Sequence, residues 1–105
     1  MDVQNILIQL FEEAGYHREK QVRMTMHHID PLVGPAPGTY RFDGMYNKHT
    51  NYSQAYLTTK SGADFLEFVV NGVNITVWEG LTPTNLNLSD PNSIDAIQKL
   101  ISYDA

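Results

Sequence analysis

No cysteine occurs anywhere in the 105 residues. Disulfide bridges, thiolate-held zinc or iron–sulfur centres and a thiol nucleophile are thereby excluded. Long apolar runs are missing too, and nothing approaches the roughly 20 consecutive residues that a membrane-spanning helix needs. The opening residues, Met1-Asp2-Val3, lack the basic region of a secretion signal, so the expected setting is cytoplasmic. Basic residues are scarce: 7 Lys and Arg stand against 12 Asp and Glu, a net charge of −5. Those seven read as scattered, without the stripe that tracks a phosphate backbone, which argues against a nucleic-acid partner. The acids read as equally scattered, too thin for a duplex mimic. Pro31 to Gly38 is rich in proline and glycine but has neither the spacing nor the lysine of a phosphate-cradling loop.

What is present is 42% apolar and 10% aromatic residues, an ordinary globular composition for one domain over residues 1–105. Val3, Ile6, Leu7, Leu10, Phe11 and Ala14 recur at helical spacing between a capping Asp2 and a terminating Gly15, with Ile8 outside the stripe as a possible contact residue. A second helix is expected after Asp90-Pro91, with Ile94, Ile97, Leu100 and Ile101 as its stripe. Between them, from Gln21 to Trp78, the period changes to two and β-branched and aromatic residues become frequent.

Turn chemistry then suggests registers. Asn71-Gly72 as a two-residue turn sets Val70 opposite Val73, Phe68 opposite Ile75 and Leu66 opposite Val77. A turn at Lys60 to Ala63 sets Leu57 opposite Leu66, Ala55 opposite Phe68 and Ser53 opposite Val70. A loop at Asn47 to Asn51 pairs Phe42 with Leu57, Gly44 with Ala55 and Tyr46 with Ser53, and the 30–38 loop brings Met26 to Phe42, Met24 to Gly44 and Val22 to Tyr46. Glu79 to Ser89, interrupted by Gly80 and Pro83, reads as an irregular connection with Leu86 and Leu88 pinned against the core. The expected fold is α+β: an N-terminal helix, a five-stranded antiparallel meander and a C-terminal helix, with both helices on one sheet face.

The opposite face is then open, and its side chains are unusual for a solvated surface. One row across the strands reads His27, Arg41, Thr58, Phe65, Trp78; a second Thr25, Asp43, Tyr56, Glu67, Thr76; a third Arg23, Met45, Gln54, Val69, Asn74. Aromatic residues and arginine are the types enriched where interfaces draw their energy, so His27, Arg41, Asp43, Tyr56, Phe65, Glu67 and Trp78 are the candidate binding residues. The competing reading buries them under the 30–38 loop, the 79–89 segment or a second copy of the chain.

Chemistry is harder to find. His27 and His28 are consecutive on a strand and point to opposite faces, and His17 with His49 lacks a third ligand, so no metal or cofactor is expected. Asp43 and Glu67 flanking Tyr56 make the best catalytic pair, yet mixed charges on a sheet are ordinarily cross-strand partners. No Ser-His-Asp arrangement can be assigned, with Ser53 facing the core. The expectation is a small acidic, non-enzymatic module of inhibitor, immunity, adaptor or viral and mobile-element counter-defence type that binds another protein, with self-association into a homodimer through this face or the edge of strand 73–78. A dimeric small-molecule or nucleotide-binding protein is the alternative, and a carboxylate-dependent hydrolase the third choice.

Overall fold

The computed structural model describes residues 2–19, 24–25, 28–29, 34–42 and 52–102. Helix α1 runs Val3–Glu13, and Asp2 caps it by accepting the Asn5 backbone N–H at 3.2 Å. Gly15 then takes φ +93°, the left-handed conformation that lets the chain leave the helix sharply. Helix α2 runs Pro91–Ile101 behind an Asp90 cap that accepts the Asn92 N–H at 3.0 Å, with proline fixing the first turn.

Among the described residues between the helices lie eight strands: β1 (His17–Arg18), β2 (Met24–Thr25), β3 (His28–Ile29), β4 (Thr39–Phe42), β5 (Tyr52–Thr58), β6 (Phe65–Asn71), β7 (Asn74–Glu79) and β8 (Thr82–Asn87). Six form one sheet in the order β1-β4-β5-β6-β7-β8, antiparallel except where β1 joins β4, while β2 and β3 pair with each other. The α+β class and the placement of both helices hold, and the five-stranded meander becomes a six-stranded sheet.

Each departure has a local cause. The β5–β6 register is as expected, with Leu57 opposite Leu66, Ala55 opposite Phe68 and Ser53 opposite Val70. The β6–β7 hairpin turns at Gly72-Val73 rather than Asn71-Gly72, since Gly72 carries the positive φ (+64°), so Val70 faces Ile75 and Phe68 faces Val77. β4 is also displaced by two, with Tyr40 opposite Leu57 and Phe42 opposite Ala55. A slip of two preserves the face of every side chain, so the apolar pattern cannot detect it. The far neighbour of β4 is β1, held by His17 N–H to Gly38 O at 3.2 Å and Glu19 N–H to Tyr40 O at 2.8 Å, not a strand over 22–29. Val22, Met26, Gly44 and Tyr46 lie outside the described residues.

The segment read as irregular is β8, a full strand against β7, which is therefore not an edge. Proline is tolerated in β8 because β8 is the edge strand. Leu88 is buried and Leu86 partly so, both against the core as expected.

The two helices close over one face. Leu7 and Phe11 of α1 and Ile97 and Ile101 of α2 share a single buried cluster with Tyr40, Leu57, Phe68 and Val77 from the sheet. Phe11 is its hub, 5.2 Å from the Tyr40 ring and 5.1 Å from Phe68. Each such side chain contributes roughly 1.5–3 kcal/mol of burial. Ile8, placed outside the stripe by spacing, is half-buried and packs against this cluster. The Tyr16 hydroxyl donates to the Ile101 carbonyl at 2.8 Å, tying the exit of α1 to the end of α2.

Candidate functional site

The face away from the helices carries one continuous row. Arg41 pairs with Tyr56, Tyr56 with Glu67, Glu67 with Trp78, and Trp78 with Pro83. Five strands at about 4.8 Å spacing make a row about 19 Å long. Four candidate residues expected in two separate rows thus stand side by side, because two registers moved by two. Phe65 lies one step along β6, and its ring stacks on Tyr56 at 5.7 Å with 23° between planes. On the other side the Arg41 guanidinium carbon sits 5.3 Å from the Tyr56 centroid. Tyr56 is consequently gripped between a ring and a cation, with its hydroxyl donating to Gln54 Oε1 at 3.0 Å.

Exposure grades along this row. Tyr56, Glu67 and Trp78 are half-buried and Phe65 is exposed, whereas Arg41 is 7% exposed and Thr58 8%. Arg41 therefore orients Tyr56 from below more than it offers its charge to solvent. Thr58 is covered by the end of the 30–38 loop: its hydroxyl donates to Pro35 O at 2.8 Å, and Gly34 lies against the Phe65 ring so closely that a Cβ there would fall 2.5 Å from Cε2. The loop shields this one corner and leaves Trp78 and Glu67 accessible. Leu32 and Val33 lie outside the described residues.

His27 and Asp43 also lie outside the described residues. Arg41, not Asp43, stands opposite Tyr56, so the expected row with Asp43 and Glu67 on strands flanking that tyrosine is not formed. His28 pairs with Thr25, and Tyr40 lies against α1 through Phe11 and Glu12. His49 is likewise undescribed, and among the described residues no group of three or more His, Asp or Glu is arranged to hold a metal ion.

Toward the other end of the sheet the open face becomes amide-rich. Thr76 donates to Asn85 Oδ1 at 2.9 Å and the Asn87 side-chain amide to Asn74 Oδ1 at 3.3 Å, beside a depression of about 440 Å³ between β7, β8 and the start of α2. These polar groups largely satisfy one another. Tyr40, on the covered face, has its ionisation pushed up to about 12 by burial first and then by donating to Glu12 Oε1 at 2.8 Å. It is a structural group.

Leu81, at the tip of the β7–β8 hairpin and 96% exposed, was missed by sequence reasoning, as was Pro83 at the end of the row. The usable signal was the alternation Thr82, Thr84, Leu86, Leu88, which marks a strand despite Pro83. No family model, curated protein or solved structure matches this chain.

Proposed function

We propose that the protein is a small cytoplasmic binding module, without catalytic activity of its own, that engages another protein through the open sheet face. The observation that carries the reading is the unbroken row Arg41–Tyr56–Glu67–Trp78–Pro83 on the surface neither helix covers. A half-buried tryptophan and a tyrosine braced by Phe65 and Arg41 give large contact area at little ordering cost, as interface anchors do. Inhibitor, immunity, adaptor and counter-defence proteins share this logic, in which a rigid acidic surface occupies a partner without turning it over. A second copy of the chain is the competing occupant.

The test uses the intact chain as bait in its native cell extract, beside Trp78→Ala and Glu67→Lys variants. A protein retained by the parent, absent from both variants and bound again when purified supports the reading, provided the variants melt as the parent does. Retention of the same protein by all three baits refutes it.

A further inference from the structure

The charges that look scattered along the chain are segregated in the fold. Residues 61–98 contain Asp64, Glu67, Glu79, Asp90 and Asp95 and no Lys, Arg or His, which equals the −5 of the entire chain; the remaining residues balance seven acids with seven bases. This stretch builds β6, β7, β8 and most of α2, whose one cation is Lys99 in its last turn, so these elements together carry a net negative charge.

The exposed large apolar side chains among the described residues stand in the same half: Leu81 at 96% and Phe65 at 38%. Leu66 pairs with Glu79, so Phe65 stands level with Gly80, at the same end of the sheet as the hairpin tip that carries Leu81. Gly80-Leu81 is a two-residue loop closed by Glu79 and Thr82, with Gly80 at φ +63°. Beside it, Ala63, Asp64, Phe65, Leu66, Glu79 and Gly80 line a notch of about 490 Å³. Through Asp64, Leu66 and Glu79 the notch adjoins a smaller hollow of about 140 Å³ that reaches Leu100 of α2. Its apolar lining is Leu66 and Leu100, and Asp64 and Glu79 are exposed beside it. Lys60, the cation of the neighbouring turn, lies with its ammonium 5.7 Å from the Tyr16 ring centroid.

Main-chain docking beside this notch is closed off. Leu88 N–H donates to Val73 O at 2.9 Å, which turns the even-numbered residues of β8 toward β7 and the odd-numbered ones outward. Of the outward positions, Pro83 has no N–H and the Asn87 N–H already donates to Ser93 Oγ at 3.1 Å, which leaves Asn85. A single outward donor does not template an added strand.

We propose that this end of the sheet docks a basic segment of a partner protein through side chains. Leu81 and Phe65 press on the partner's apolar residues, while the stem of a lysine or arginine lies on Leu66 and Leu100 and its charge meets Asp64 and Glu79. The assignment rests on the protein-binding reading above and adds the chemistry of the partner.

The isotope-labelled full chain is titrated with a synthetic peptide of alternating leucine and lysine pairs, then with the same peptide carrying glutamate for lysine, and followed residue by residue by NMR. Shifts centred on residues 63–67 and 78–82, from the lysine peptide alone, are expected. Leu81→Ser should weaken binding about tenfold, as loss of an anchor does, and Glu79→Lys by at least as much, with melting temperatures unchanged because both side chains are exposed. Shifts spread equally over Glu12, Glu13 and Asp95, or no binding, overturn the proposal. So does a concentration-dependent dimer of the parent that Leu81→Ser dissolves, since the occupant is then a second copy. If Trp78→Ala weakens the lysine peptide while Leu81→Ser and Glu79→Lys do not, this docking mode is wrong and the open-face reading stands; if none of the three matters, both fall.

Discussion

Replacing Gly34 by alanine should loosen the open face while leaving the core alone. A Cβ at Gly34 falls 2.5 Å from Phe65 Cε2 and 2.6 Å from Cδ2, with Thr58 Oγ1 at 3.4 Å. Carbon atoms in contact stand about 3.5–4.0 Å apart, so the methyl overlaps the ring by about 1 Å. Two relaxations are available. The Phe65 ring can swing out and forfeit its stack on Tyr56, or Gly34-Pro35 can lift and break the Thr58 to Pro35 hydrogen bond. Each loss is about 0.5–1.5 kcal/mol, and with the packing around it the clash costs about 1–2 kcal/mol. Alanine also narrows the unfolded ensemble, which returns about 0.4–1 kcal/mol. The net is a destabilisation of about 1 kcal/mol, a fall in Tm of roughly 4–8 °C for a chain of this size. The decisive comparison is the same change in a Phe65→Ala background, where the overlap is gone and only the chain-entropy gain remains. There Gly34→Ala should stabilise, and urea unfolding of the four proteins measures the coupling. Equal effects in the two backgrounds, within about 0.5 kcal/mol, would refute the contact.

Other expectations follow from single groups. Phe68→Ala removes a fully buried ring packed on Phe11 and should cost about 3–5 kcal/mol in denaturant unfolding, a loss under 1 kcal/mol being incompatible with the packing described. The Ser53 hydroxyl is buried with no hydrogen-bond partner among the described residues, so Ser53→Ala should raise stability by about 1 kcal/mol, and a loss of that size would reveal a bonded hydroxyl. Tyr40 keeps its proton to about pH 12 in the folded chain against 10 when unfolded, so its contribution is complete below pH 10 and is lost as pH rises toward 12. The loss is on the order of 2 kcal/mol, and alkaline unfolding of Tyr40→Phe should lack that part of the slope. Pro83→Thr with Ser93→Ala restores two outward donors to β8 and should produce self-association in sedimentation experiments; a doubly substituted chain no more associated than the parent would mean that other features guard this edge.

The helices and the β5–β6 hairpin were legible because each joins a periodic pattern to a stop signal: Asp2 and Gly15, Asp90 and Pro91, and the turn at Lys60 to Ala63. The neighbouring registers were legible in face but not in position, since a displacement by two leaves every leucine and phenylalanine on its own side. That ambiguity scattered the candidate residues over two rows, where the hydrogen-bonded ladder sets Arg41, Tyr56, Glu67 and Trp78 abreast. β8 was hidden by Pro83, and two residues of β1 are too few to show any period. The acidic half is legible in the sequence as well, since residues 61–98 hold five acids and no base; the fold adds that β6, β7 and β8 built from this stretch are neighbours in one sheet.

The bond from Tyr16 to Ile101 spans 85 residues, and the core it seals joins Leu7 and Phe11 to Ile97. The β5 to β8 hairpins are built from near neighbours and can form early, and the first helix can settle on the sheet through Phe11, but the shared core is closed only when the second helix joins it. Until α2 docks, part of the sheet's apolar side therefore stays uncovered. That interval, rather than the finished molecule, is when this chain most needs a chaperone.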